Sequence, residues 1–97
     1  MEKKEISKLR RRIKSLQKKL QYLGPVMRGS VVMLGPKNKP KRIFFSLNKD
    51  RKTHMIYLGK KREAKAKEYS QNYKKLLAIV EEMTAINMTL LKENAAE

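Results

Sequence analysis

The stretch RIFFSLNKDRKTHMIYLGKKR, residues 42–62, sets two apolar runs on either side of a short charged turn, with Lys and Arg crowding the turn and both ends. Val, Ile, Phe, Tyr and Thr dominate such runs when they are strands, and NKDRK between them reads as the turn of a hairpin. Side chains alternate between faces along a strand. In the first run Ile43, Phe45 and Leu47 therefore share one face, and Arg42, Phe44 and Ser46 the other. In the second run the split is His54, Ile56 and Leu58 against Thr53, Met55 and Tyr57. A structural hairpin needs the apolar residues but not the cations, which call for a separate explanation.

Upstream, RGSVVML is a third β-branched run, joined to the hairpin by the loop GPKNKPK. A three-stranded antiparallel meander over 28–60 follows, with one face expected to pack on a helix. Before it, EISKLRRRIKSLQKKLQYL places Ile6, Leu9, Ile13, Leu16, Leu20 and Leu23 at alternating spacings of three and four, a heptad seam. The spacing predicts a basic helix over 4–23, stopped by Gly24-Pro25. Lys8, Arg11, Arg12, Lys14, Lys18 and Lys19 make up its outer face. After the sheet, residues 62–93 lack Gly and Pro. Tyr69, Tyr73, Leu76, Val80, Met83, Ile86 and Leu90 recur there at helical spacing, widened by Leu77, Ile79 and Leu91. The fold class is α+β: N-terminal heptad helix, three-stranded antiparallel meander, long C-terminal amphipathic helix, taken as one domain over 1–97.

Charge is the strongest functional signal. Residues 1–75 hold 24 Lys and Arg against five acids, whereas the remainder sets Lys92 against Glu81, Glu82, Glu93 and Glu97. A cationic surface of that density attracts a polyanion, and nucleic acid is the expected partner. The chain has no cysteine, which excludes disulfides and thiolate zinc sites. No apolar run approaches the ~20 residues of a membrane span, and the N-terminus lacks a signal-type apolar core. A cytoplasmic location is expected.

Catalysis finds little support. His54 is the single histidine and sits in a strand without a positioned partner, and adjacent Glu81 and Glu82 splay apart on a helix. GPKNKPK lacks the spacing of a phosphate-cradling loop. The chain reads as a non-enzyme without cofactor or metal.

A sheet with one bare face can enter the major groove of duplex DNA. On that reading Arg28, Lys41, Arg42, Lys49, Arg51 and Lys52, with Lys60, Lys61 and Arg62, contact phosphates. Arg42, Phe44, Thr53 and Tyr57 reach the groove or the bases. The bland reading makes Phe44 and Tyr57 a cross-strand aromatic pair and the cations protection of the sheet edges. Two or three lysines would serve that purpose, and this segment carries many more. Two alternatives share the surface or the helices. Exposed aromatics could stack on single-stranded RNA, alone or within a ribonucleoprotein. The helices could instead serve a protein–protein adaptor, an exposed apolar end of the C-terminal helix being its mark. The apolar end of the C-terminal helix is expected to pack on the heptad of the first helix, within a chain or between two, with Glu81, Glu82 and Glu93 facing its basic residues. The DNA-binding form is expected to be a homodimer built on these helices.

LGPVMRGSVV after a heptad helix, an aromatic strand, IYLGKK, and NYKKLLAIVEEMTAINMTLL together resemble a family of short, basic, uncharacterised bacterial proteins. The resemblance runs from about Leu9 to Leu91 and is most specific in RGS at 28–30, NYKKL and EEMTAIN. It implies no established activity. Members are often found near mobile elements, which is consistent with DNA. Many members carry a small cysteine cluster ahead of the aromatic strand, where this chain has GPKNKPK and so no thiolate ligands. In topology alone, three strands followed by a helix is also similar to the arm-type DNA-binding domain of tyrosine integrases, whose sheet sits in the major groove.

Overall fold

The computed structural model describes residues 2–95, in the order α1 (Lys3–Gln21), β1 (Ser30–Leu34), β2 (Arg42–Lys49), β3 (Lys52–Tyr57) and α2 (Gly59–Lys92). The α+β class and the order helix, three strands, helix are those read from the sequence. The chain forms two compact units: residues up to Leu23 with those from Lys75 onward, and Gly24–Lys74. Helix α2 contributes to both.

The first unit is a helical hairpin. The heptad seam of α1 packs on α2, with Ile13, Leu16, Ile79, Ile86 and Leu90 buried and Ile6, Leu9, Leu20 and Met83 lying against them. Leu16 and Leu90 are each 1 % exposed, so these two leucines form the centre of the contact. The start of α1 meets the end of α2, where Arg10 donates to the Ala95 carbonyl at 2.9 Å. Arg12 reaches Glu82 with two nitrogens, at 2.6 and 2.9 Å. Its guanidinium therefore faces α2 instead of the free outer surface expected from the heptad. Asn94 closes α2 in the left-handed region at φ 54, and the Ala95 N–H bonds back to Leu90 at 2.7 Å.

One part of the helical pattern needs correction. Val80 belongs to the apolar repeat of α2 but is 45 % exposed, as is Leu77 at 46 %. The face turned to α1 is Ile79, Met83, Ile86 and Leu90. The apolar arc of α2 is wider than one partner helix covers, so its far side stays bare.

In the second unit the sheet has order β1-β2-β3, all antiparallel. Val31, Phe45 and Ile56 lie side by side across it, as do Val32, Phe44 and Tyr57. Ile43, Phe45 and Leu58 bury against Ala66 of α2, with Met27 and Val31 beside them. Residues before β1 run along α2 and are tied to it at alternate positions. Asn72 donates to the Pro25 carbonyl at 2.9 Å, the Met27 N–H to the Tyr69 carbonyl at 3.1 Å, and Ser70 to the Gly29 carbonyl at 2.8 Å. Gly29, at φ 138, passes so close to the sheet that a Cβ there would lie 2.5 Å from the Ser46 carbonyl and 2.7 Å from the Phe45 ring. No side chain fits that position.

Two boundaries move. Helix α1 ends at Gln21 and not at Leu23, its last turn tightened by the Leu23 N–H bond to Leu20. Helix α2 starts at Gly59, ahead of the expected 62, because Gly59 at φ 65 swings the chain straight from β3 into the helix. Lys60, Lys61 and Arg62 thus occupy its first turn, where no acidic residue stands.

Candidate nucleic-acid interface

The face of the sheet away from α2 carries Arg42, Phe44, Ser46 and Asn48 from β2, with Thr53, Met55 and Tyr57 from β3, as the alternation predicts. Tyr57 is 53 % exposed, and its ring meets Phe44 edge to face at a centroid distance of 5.7 Å. The expected aromatic pair is therefore present, and it leaves half of Tyr57 open. Strand β1 adds Val32 and exposed Leu34 to this surface through their pairing with Phe44 and Arg42. Those two residues escape sequence reading, since only the register across the seven-residue loop assigns the β1 side chains to a face.

At one end of this face the strands close through Asp50 and Arg51, with φ of 54° and 62°. Two positive φ values in a two-residue connection define a type I′ turn, which glycine or asparagine fits best. Asp tolerates that region, whereas Arg51 is held there at a cost that glycine would avoid. Lys49 and Lys52 pair directly across the strands just before the turn. Thr53 donates to the Asn48 side-chain oxygen at 2.9 Å. That bond leaves the Asn48 amide NH2 as the outward donor.

At the other end lies an open cavity of about 570 Å³, lined by Lys39, Lys41, Arg42 and Lys60 together with Tyr57 and Gly59. Three loop or strand cations and the first turn of a 34-residue helix converge on it. The N-terminal end of a helix is electropositive, so Lys60, Lys61 and Arg62 stand where a helix disfavours cations. An anion in the cavity would relieve that repulsion.

Two of the candidate phosphate ligands have other work. Arg62 donates to the Leu58 carbonyl at 3.0 Å and the Tyr57 carbonyl at 2.8 Å, holding the strand-to-helix corner. Arg28 donates to the Asn48 carbonyl at 3.0 Å. It stands with Lys49 beside the opposite face of the sheet, so these two are not gathered with Phe44 and Tyr57.

That opposite face also departs from expectation. Leu58 is buried, but all six residues of β3 are exposed, including Ile56 at 54 %. The helix contact, centred on Ala66, covers Ile43 and Phe45 and stops short of this edge strand. A shallow groove of about 370 Å³ remains, lined by Met27, Phe45, Leu47, His54 and Ile56. His54 sits in its wall.

No helix among the described residues is long and apolar enough to cross a membrane. No family model, curated protein or solved structure matches this chain.

Proposed function

We propose that this protein binds double-stranded DNA with the bare face of its sheet, the groove contact being flanked by phosphate contacts at both ends. The observation that carries the reading is the bare face itself. Its middle is apolar and aromatic, and its two ends are cationic. Arg42 and the Lys39–Lys41–Lys60 cavity hold one end, and the Arg51 turn holds the other. Three strands span about 10 Å in the pairing direction, a width that fits the ~12 Å major groove. The seven steps from Arg42 to Lys49 extend about 24 Å, which separates the two cationic groups by more than the groove width.

Chemistry divides along the same lines. Lys39, Lys41, Arg42, Lys60 and Arg51 contact phosphate oxygens, and a phosphate in the cavity also meets the first N–H groups of α2. Lys61 and Lys52 add to the local field. The Asn48 NH2 group donates to an acceptor on a base edge, and Met55, Leu34 and Tyr57 offer apolar contact to thymine methyl groups. Arg51 supports the reading in a second way. Non-glycine residues held in strained turn positions cluster at functional sites.

Competition decides between polyanions. A labelled duplex is displaced in turn by unlabelled duplex, single-stranded DNA and RNA of matched length. Duplex DNA should compete best. Preferential displacement by single-stranded RNA would move the function to base stacking on Tyr57.

A further inference from the structure

Among the described residues, the helical hairpin leaves an apolar surface without a partner. On α2, Leu77, Val80, Met88 and Leu91 are 46, 45, 66 and 64 % exposed. With Thr84 they recur at spacings of three, four, four and three residues. At 3.6 residues per turn the five fall within an arc of about 80° and extend along about 21 Å of helix. Ile79, Met83, Ile86 and Leu90 lie on the other side and are already taken by α1. The α1 seam is thus used within the chain and cannot serve a second molecule without opening the hairpin.

We propose that this stripe is a homodimer interface, in which two copies of the chain pair their α2 helices antiparallel about a two-fold axis at Thr84. Self-association of this kind requires a patch complementary to itself, residue i meeting j while j meets i. The spacing has that property. Reversal about Thr84 sends Leu77 onto Leu91, Val80 onto Met88, and Thr84 onto itself. An unlike partner would impose no such symmetry. Reversal also sets a short branched side chain against a long flexible one, Val80 against the Met88 of the second copy, which fills space better than Met on Met.

The centre of the stripe is chemically suited to burial. Thr84 donates its hydroxyl to the Val80 carbonyl at 2.7 Å, so its proton is already satisfied within the helix. Exposed Glu81 and Asn87 lie at the margins, where a polar rim belongs. Four such side chains expose on the order of 400 Å² per copy, the size at which an apolar patch marks an interaction site. Both copies with their rims approach the ~1,000 Å² at which specific interfaces begin. The net charge of +16 opposes the approach of two copies, so the contact strengthens as salt rises. Nucleic-acid binding has the opposite salt dependence, which keeps the two proposals separable.

Sedimentation equilibrium of the full chain without nucleic acid tests this. The wild type should be a dimer at micromolar concentration, tighter at higher salt. Val80→Glu and Met88→Lys, each at an exposed position, should leave the helical circular dichroism intact and weaken the dimer ~100-fold or more. The double variant Val80→Glu/Met88→Lys should dimerise again, because antiparallel pairing sets each Glu against the Lys of the other copy. A monomeric wild type, or single variants that remain dimeric, would overturn the proposal. A double variant that stays monomeric while both single variants fold would overturn the antiparallel register.

Discussion

Thr53 and Asn48 face each other across the last rungs of the β2–β3 hairpin, and the Thr53 hydroxyl donates to the Asn48 side-chain oxygen at 2.9 Å. One neutral hydrogen bond on an exposed surface contributes little stability, on the order of 1 kcal/mol or less. Its consequence is directional. With the oxygen occupied, the amide presents two N–H donors beside a turn that carries Lys49, Arg51 and Lys52. A donor held in place at the edge of a cationic surface is suited to reading an acceptor in a groove.

Replacing Asn48 by Ala removes that donor without changing charge. Affinity for duplex DNA should fall while the dependence of log K on log[salt] keeps its slope. Arg51→Ala should instead lower the slope by about one unit, as the loss of one phosphate contact does. Fluorescence anisotropy titrations at several salt concentrations distinguish the two.

Arg51→Gly separates stability from binding. Glycine adopts φ 62 without strain, so the variant should be more stable than wild type by roughly 1 kcal/mol, while binding duplex DNA more weakly. Urea denaturation and anisotropy are the two readouts. A variant gaining stability with unchanged affinity would remove Arg51 from the interface.

Gly29→Ala should destabilise by about 2–4 kcal/mol, since a methyl group there meets the Ser46 carbonyl and the Phe45 ring in a backbone conformation that alanine disfavours. Urea denaturation gives the value. Asn72, by donating to the Pro25 carbonyl, secures the segment that leads to Gly29.

The Arg12–Glu82 pair gives a pH signature. Its hydrogen bonds hold the Glu82 carboxyl below the usual carboxylate range and push the Arg12 guanidinium further up. A carboxyl with a lowered folded-state pKa stabilises above its ordinary pKa, and that contribution disappears as pH falls through the lowered value. The thermal midpoint of Glu82→Gln should therefore lie below that of wild type at neutral pH. The gap should close as pH drops below about 4. Both side chains are 42 % exposed, so the effect is small and decreases with salt.

In the hydrophobic centre, Leu16→Ala or Leu90→Ala should each cost about 2–5 kcal/mol. Urea denaturation measures it, and the loss should register in helical signal.

The elements were legible wherever a period was strong. The heptad of α1 and the alternation in RIFFSL and THMIYL gave both the type of element and the faces of the sheet. Side chains with local partners were not. Arg62 looks like a free cation in sequence, and only the fold brings the Tyr57 and Leu58 carbonyls to it. Arg28 is similarly taken by Asn48, 20 residues away. The cavity of Lys39, Lys41, Arg42 and Lys60 depends on where a glycine-started helix meets the β1–β2 loop, which no local pattern encodes. The bare stripe on α2 was present in the sequence as a wide apolar arc. Which half would be covered was decided by α1, through packing alone.

The most direct test of the central claim is a salt titration of binding to a labelled DNA duplex, compared with RNA of matched length. Binding should be tighter to duplex, with log K falling steeply in log[salt]. Arg42→Ala/Arg51→Ala should reduce that slope by about two units in a protein that still folds. Absence of duplex binding near physiological salt, or an unchanged slope in the folded double variant, would contradict it.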